Sequence, residues 1–91
     1  MLKEFKVANS DLRKVDALLA ELVEPIDCIE GCLWDNFLYD FGDKFVACFE
    51  CYETCWSSGY RILIADKEDD EARSELIRQW ETLQSEVEEN A

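Results

Sequence analysis

Residues 37–51 read FLYDFGDKFVACFEC, and how this stretch folds decides the architecture. Phe37, Tyr39 and Phe41 alternate with Leu38 and Asp40, and Phe45, Ala47, Phe49 and Cys51 resume a period of two after Gly42-Asp43. That period belongs to a strand, whose successive side chains leave on opposite faces, and Gly-Asp supplies turn chemistry between two such runs. The stretch predicts a β-hairpin. Beyond it, Ser57-Ser58-Gly59 breaks the chain before YRILIA at 60–65, where Ile62, Leu63, Ile64 and Ala65 form the unbroken apolar run of a well-buried strand.

Working outward, both flanks carry helical spacing. Ser10 suits an N-cap and Asp11 a first helical turn, and Leu12, Val15, Leu18, Leu19, Leu22 and Val23 recur every three or four residues until Glu24-Pro25 stops them. At the other end Ala72, Leu76, Trp80, Leu83 and Val87, with Ile77 beside them, predict an amphipathic helix from about Glu68 to Glu88. The first residues, LKEFKVA, set Phe5 and Val7 against Glu4 and Lys6 in a strand-like alternation that Lys3 interrupts. The expected fold is α+β: a small antiparallel sheet of about three strands with two amphipathic helices on one face. Leu18, Leu22, Phe37, Phe49, Ile62, Ile64, Leu76 and Trp80 are its expected core.

The 91 residues are 48% hydrophobic and include three Trp, three Tyr and five Phe, so one domain (1–91) with a modest core is expected. No run approaches the roughly 20 apolar residues of a membrane span. The opening MLKEFKVANS interleaves charges with its apolar residues and lacks a signal-peptide core. A cytoplasmic protein is expected.

Charge is the strongest compositional signal. Twenty-two acids against nine bases give a net charge of −13, and residues 15–60 hold ten acids and one base while residues 61–91 hold ten acids and four bases. The acid therefore lies on the folded body, where it repels nucleic acids and anionic membranes and favours a cationic partner.

Five cysteines raise a separate question. Cys28 and Cys32 form CIEGC, and Cys51 and Cys55 form CYETC, two C-x3-C pairs with 18 residues between them. Thiolate tetrads of zinc are commonly assembled from two such close pairs brought together by a hairpin, so Cys28, Cys32, Cys51 and Cys55 are the candidate ligands of one structural zinc. Cys48 is the first substitute, since Cys48 and Cys51 give a C-x2-C spacing. Against this, in a regular strand Cys48 and Cys51 point to opposite faces, and CFEC lacks the glycine or proline that turns backbone amides toward sulfur. Thiols packed among Phe45, Phe49, Tyr52 and Trp56 stand as the equal alternative. Disulfides suit neither a reducing compartment nor an odd count.

Catalysis is not expected. The chain has no His, hence no imidazole shuttle and no Cys-His pair, and its three glycines form no phosphate-binding loop.

In size, acidity and absence of a catalytic motif, the chain as a whole resembles the small acidic phage proteins that block host defence, above all the anti-CRISPR inhibitors of Cas nucleases. The resemblance implies a Cas-type nuclease as partner and, for a phage-encoded chain, the host cytosol as its place of action. Such an inhibitor mimics DNA: a rigid fold bearing rows of carboxylates competes for the Lys and Arg that grip phosphates. Two rows are available here, Glu68, Asp69, Asp70, Glu71 and Glu75 at the start of the C-terminal helix, and Asp35, Asp40 and Asp43 about the hairpin. The alternative is a zinc-stabilised adaptor that meets a protein partner through apolar contacts.

Overall fold

The computed structural model describes residues 1–8, 24–31, 35–54 and 57–89, without the side chains of 8 and 51–58. Five strands form one sheet: β1 (Lys3–Ala8), β2 (Asp27–Ile29), β3 (Asn36–Asp40), β4 (Lys44–Thr54) and β5 (Ser57–Asp66). The helix α1 (Asp70–Glu89) follows. The order across the sheet is β1-β5-β4-β3-β2 and every neighbouring pair is antiparallel. The reading of about three strands against two helices is thereby corrected. Two edge strands enlarge the sheet, and among the described residues a single helix packs on it. The helix expected from Ser10 up to Glu24, with Leu18 and Leu22, falls on residues 10–23, which lie outside the described residues.

The hairpin forms as its alternation requires. Phe37 faces Cys48, Leu38 faces Ala47, Tyr39 faces Val46 and Asp40 faces Phe45. Gly42 takes φ +91°, the left-handed region that glycine enters without a Cβ penalty, and the Phe41 N–H donates to the Lys44 carbonyl at 2.9 Å to close the turn. Because directly opposed residues share a face, Leu38, Ala47 and Leu63 form one row, and Phe37, Cys48, Ile62 and Phe5 form a row on the reverse. The aromatic runs on either side of the turn therefore leave on opposite faces.

The helix covers the first of these faces. Ile29, Leu38, Ala47, Phe49, Leu63 and Ala65 pack with Ala72, Leu76 and Trp80, which recur at a spacing of four along α1. Leu63 and Leu76 are sealed from solvent at the centre. On the reverse face Tyr39, Val46, Cys48, Tyr60 and Ile62 form a second buried cluster, with Phe37 and Ile64 half-buried beside it. Of the expected core, Phe49, Ile62, Leu76 and Trp80 are buried, and Phe37 and Ile64 only partly so. No helix among the described residues is long and apolar enough to cross a membrane.

One buried polar residue joins three strands. The Asn36 amide donates to the Ile29 carbonyl at 3.1 Å, and its oxygen accepts the Glu50 N–H at 2.6 Å. The β3–β4 ladder stops at the Phe37 and Cys48 pair, so the side chain takes the place of the next ladder bond. Asn36 is only 3% exposed, and both of its functions are used.

Candidate functional site: an acidic corner

Four segments meet at one end of the sheet: the β3–β4 turn, the end of β5, the linker that follows it and the first turn of α1. Gly42, Asp43, Asp66, Lys67, Glu68 and Asp69 line a single open cleft there. Main-chain bonds fix the junction. The Lys67 N–H donates to the Asp43 carbonyl at 2.9 Å, which ties the linker to the hairpin turn, and the Asp69 N–H reaches the Asp66 carbonyl at 3.1 Å.

Two of the acids serve the fold. Asp40 accepts the Gly42 N–H at 2.8 Å and pairs with the Lys67 ammonium at 2.7 Å. Lys67 and then Gly42 hold the Asp40 carboxyl below its ordinary value. Asp69 is the N-cap of α1: its Oδ1 accepts the Ala72 N–H at 3.2 Å, and its carbonyl accepts the Arg73 N–H at 2.9 Å. The N-terminal ammonium of Met1 also pairs with Asp69, and it is the first cause, ahead of the Ala72 N–H, that lowers the carboxyl's pKa.

The remaining acids point outward. The side chains of Asp43 and Asp70 are 76% and 83% exposed, and Asp66, Glu68 and Glu71 are exposed as well. The corner's cations pair with its acids, Lys44 with the exposed Asp43 at 3.8 Å and Lys67 with Asp40. Lys67 lies over the Phe45 ring, 4.8 Å from its centroid, and Arg73 donates to the Lys67 carbonyl at 2.8 Å and to Asp70 at 2.7 Å. The arrangement presents carboxylates on a braced backbone, a geometry that attracts cations at long range.

The two acidic rows expected from sequence are thus regrouped. Asp40 and Asp43 join Glu68, Asp69, Asp70 and Glu71 at one corner, and Asp66, which the sequence reading passed over, lies among them. Its signal was the acidic run that it begins, DKEDDE at 66–71. Asp35 belongs elsewhere. It precedes β3 while Asp40 ends it, a separation of about 17 Å along a strand, and its carbonyl accepts the Tyr60 hydroxyl at 2.6 Å. Glu75 is engaged by Arg78 and Gln79, which hold its pKa down at about 2, Arg78 contributing most.

For the zinc tetrad, Cys32 and Cys55 lie outside the described residues, and Cys51 is placed only by its backbone, opposite Gly59. Cys28 is exposed on edge strand β2, and Cys48 is buried. Both stand in register with Phe37, one on each side, so two strand spacings of about 5 Å each separate their backbones. Although Cys28 is exposed, partial desolvation of its thiol is the first cause that raises it above its ordinary pKa, followed by the charges of Asp35 and Asp27 and a hydrogen bond with Asp35. Among the described residues no three His, Cys, Asp or Glu side chains are grouped to hold a metal.

A second cleft, of about 250 Å³, opens between α1 and strands β4 and β5. Its two guanidinium groups are already engaged, Arg61 with Glu4 at 3.0 Å and above the Phe49 ring, and Arg78 with Glu75. The acidic corner is therefore the stronger candidate. Compared with protein-family models, curated proteins and solved structures, the chain matches none.

Proposed function

We propose that this chain is a non-catalytic inhibitor that sets its acidic corner against a cationic protein surface of a nucleic-acid-handling effector and so obstructs engagement of nucleic acid. The observation that supports the reading is the convergence of Asp43, from the hairpin turn, with Asp66, Glu68 and Asp69 in one cleft on a hydrogen-bonded frame. Carboxylates held in this way compete for the Lys and Arg that would otherwise bind phosphates. The Cas-type nuclease suggested by the chain's size and acidity is the first partner to test, in the cytoplasm where such effectors act.

The test is a competition measurement. A Cas nuclease is titrated with the protein in the presence of a labelled nucleic acid, at several salt concentrations, for the wild type and for Asp43→Lys/Glu68→Lys/Asp70→Lys. Displacement should weaken steeply with salt and should be lost in the triple variant, whose circular dichroism stays native. Displacement by the triple variant equal to that by the wild type would refute the acidic-corner reading.

A further inference from the structure

Strand β1 is a sheet edge whose hydrogen-bonded neighbour is β5, and Lys3, Glu4, Phe5 and Lys6 are all exposed on it. Phe5 is 51% exposed, one of the few large apolar side chains left in water among the described residues. The opposite edge, β2, is only three residues long. Among the described residues no strand pairs with the outer side of β1, and a six-residue edge offers a row of backbone donors and acceptors to another strand.

The geometry points to a second copy of this chain as the occupant, with β1 pairing antiparallel to β1 about a two-fold axis through Phe5. The pleat selects the centre. In a continuous sheet directly opposed residues share a face, so a symmetric antiparallel pair must place one residue opposite itself. A centre at Glu4 sets two carboxylates against each other, and a centre at Lys3 or Lys6 sets two ammonium groups together. A centre at Val7 leaves little strand to pair. A centre at Phe5 instead opposes Phe5 to Phe5 and Glu4 to Lys6 of the second copy, twice by symmetry, and Lys3 to Val7.

Faces agree as well as charges. Glu4 and Lys6 stand on the helix side of the sheet, where Glu4 already pairs with Arg61, and Phe5 stands on the reverse in the row of Ile62 and Cys48. Pairing would thus extend a charged row on one face and an apolar row on the other. It would join two five-stranded sheets into one continuous sheet across the dimer. The contact is smaller than a standard interface, and each copy carries a charge of −13, so a weak dimer with a Kd on the order of 10 to 100 µM is expected.

The experiment is sedimentation of the intact chain across concentration at about 0.15 M salt, where long-range repulsion is screened. Mass should rise from 10.6 kDa toward twice that value. Glu4→Lys and Lys6→Glu should each weaken self-association by about tenfold. An equal mixture of the two variants should recover it, because Lys at 4 then faces Glu at 6 and each remaining native charge also finds its opposite. Hydrogen exchange of the wild type, independent of any substitution, should show β1 amides more protected in concentrated than in dilute solution. A single 10.6 kDa species throughout, a mixture that associates no better than either variant alone, or unchanged β1 protection would each overturn the proposal.

Discussion

The indole N–H of Trp80 donates to a carboxylate oxygen of Asp27 at 2.8 Å, so the middle of α1 is bonded directly to the short edge strand β2. Three residues pair poorly by themselves. The Trp80 ring also packs against Phe49, with centroids 5.7 Å apart, so one side chain anchors both an edge strand and a central strand. Trp80→Phe should retain most of the packing, lose the bond to a charged acceptor and cost about 1–3 kcal/mol. Trp80→Ala should cost about 3–5 kcal/mol. Chemical denaturation measures both, and hydrogen exchange should show Asp27–Ile29 opening first in the Phe variant.

Asn36 should tolerate no close replacement. Asn36→Ala leaves the Ile29 carbonyl and the Glu50 N–H without their side-chain partner, for an expected loss of about 2–4 kcal/mol. Asn36→Asp keeps an acceptor for Glu50, but turns the donor toward Ile29 into a buried negative charge facing a carbonyl. It should therefore be at least as damaging at neutral pH and should recover stability on acidification, as the introduced carboxyl becomes neutral. Urea midpoints at two pH values separate these outcomes.

Acid should act through Glu75 in a defined window. Its folded pKa, about 2, lies below its ordinary value of 4.5. The contribution of its bonds to Arg78 and Gln79 is therefore fully present above about pH 4.5 and is lost as pH falls toward 2. The wild type should exceed Glu75→Gln in thermal midpoint above that window and equal it near its lower limit. A carboxyl resonance from Glu75 that titrates at an ordinary value would contradict the pairing.

Gly42 tests the hairpin turn. A Cβ built there meets nothing within 4 Å, so Gly42→Ala is opposed by backbone conformation and not by crowding. The expected loss is about 1 kcal/mol, with Gly42→Asn milder because Asn tolerates the left-handed region better. Melting temperatures ranked Gly, Asn, Ala would bear this out.

Local periodicity made part of this fold legible. The spacing of Ala72, Leu76 and Trp80 located α1 to within two residues, and the alternation about Gly42-Asp43 located β3 and β4. Strand number was harder to read, since Asp27–Ile29 is too short to show a period and exists through its pairing with β3. The alternation of Phe5 and Val7 was visible, but its place beside β5 depends on contacts made across more than fifty residues. Grouping of the acids depended on the same long-range geometry. Asp35 and Asp40 are close in sequence yet lie at opposite ends of a strand, whereas Asp43 and Glu68 are distant in sequence and line one cleft.

The bond from the Lys67 N–H to the Asp43 carbonyl has a thermodynamic consequence for association. It joins the turn and the linker before any partner arrives, so the carboxylates need little conformational ordering on binding. Immobilising a flexible side chain costs about 0.5–1.5 kcal/mol, and a loop must add its backbone to that, whereas here only the outward rotamers remain to be fixed. Calorimetry on a partner should accordingly show a heat capacity change set by the contact area alone, without the extra decrease that accompanies coupled folding.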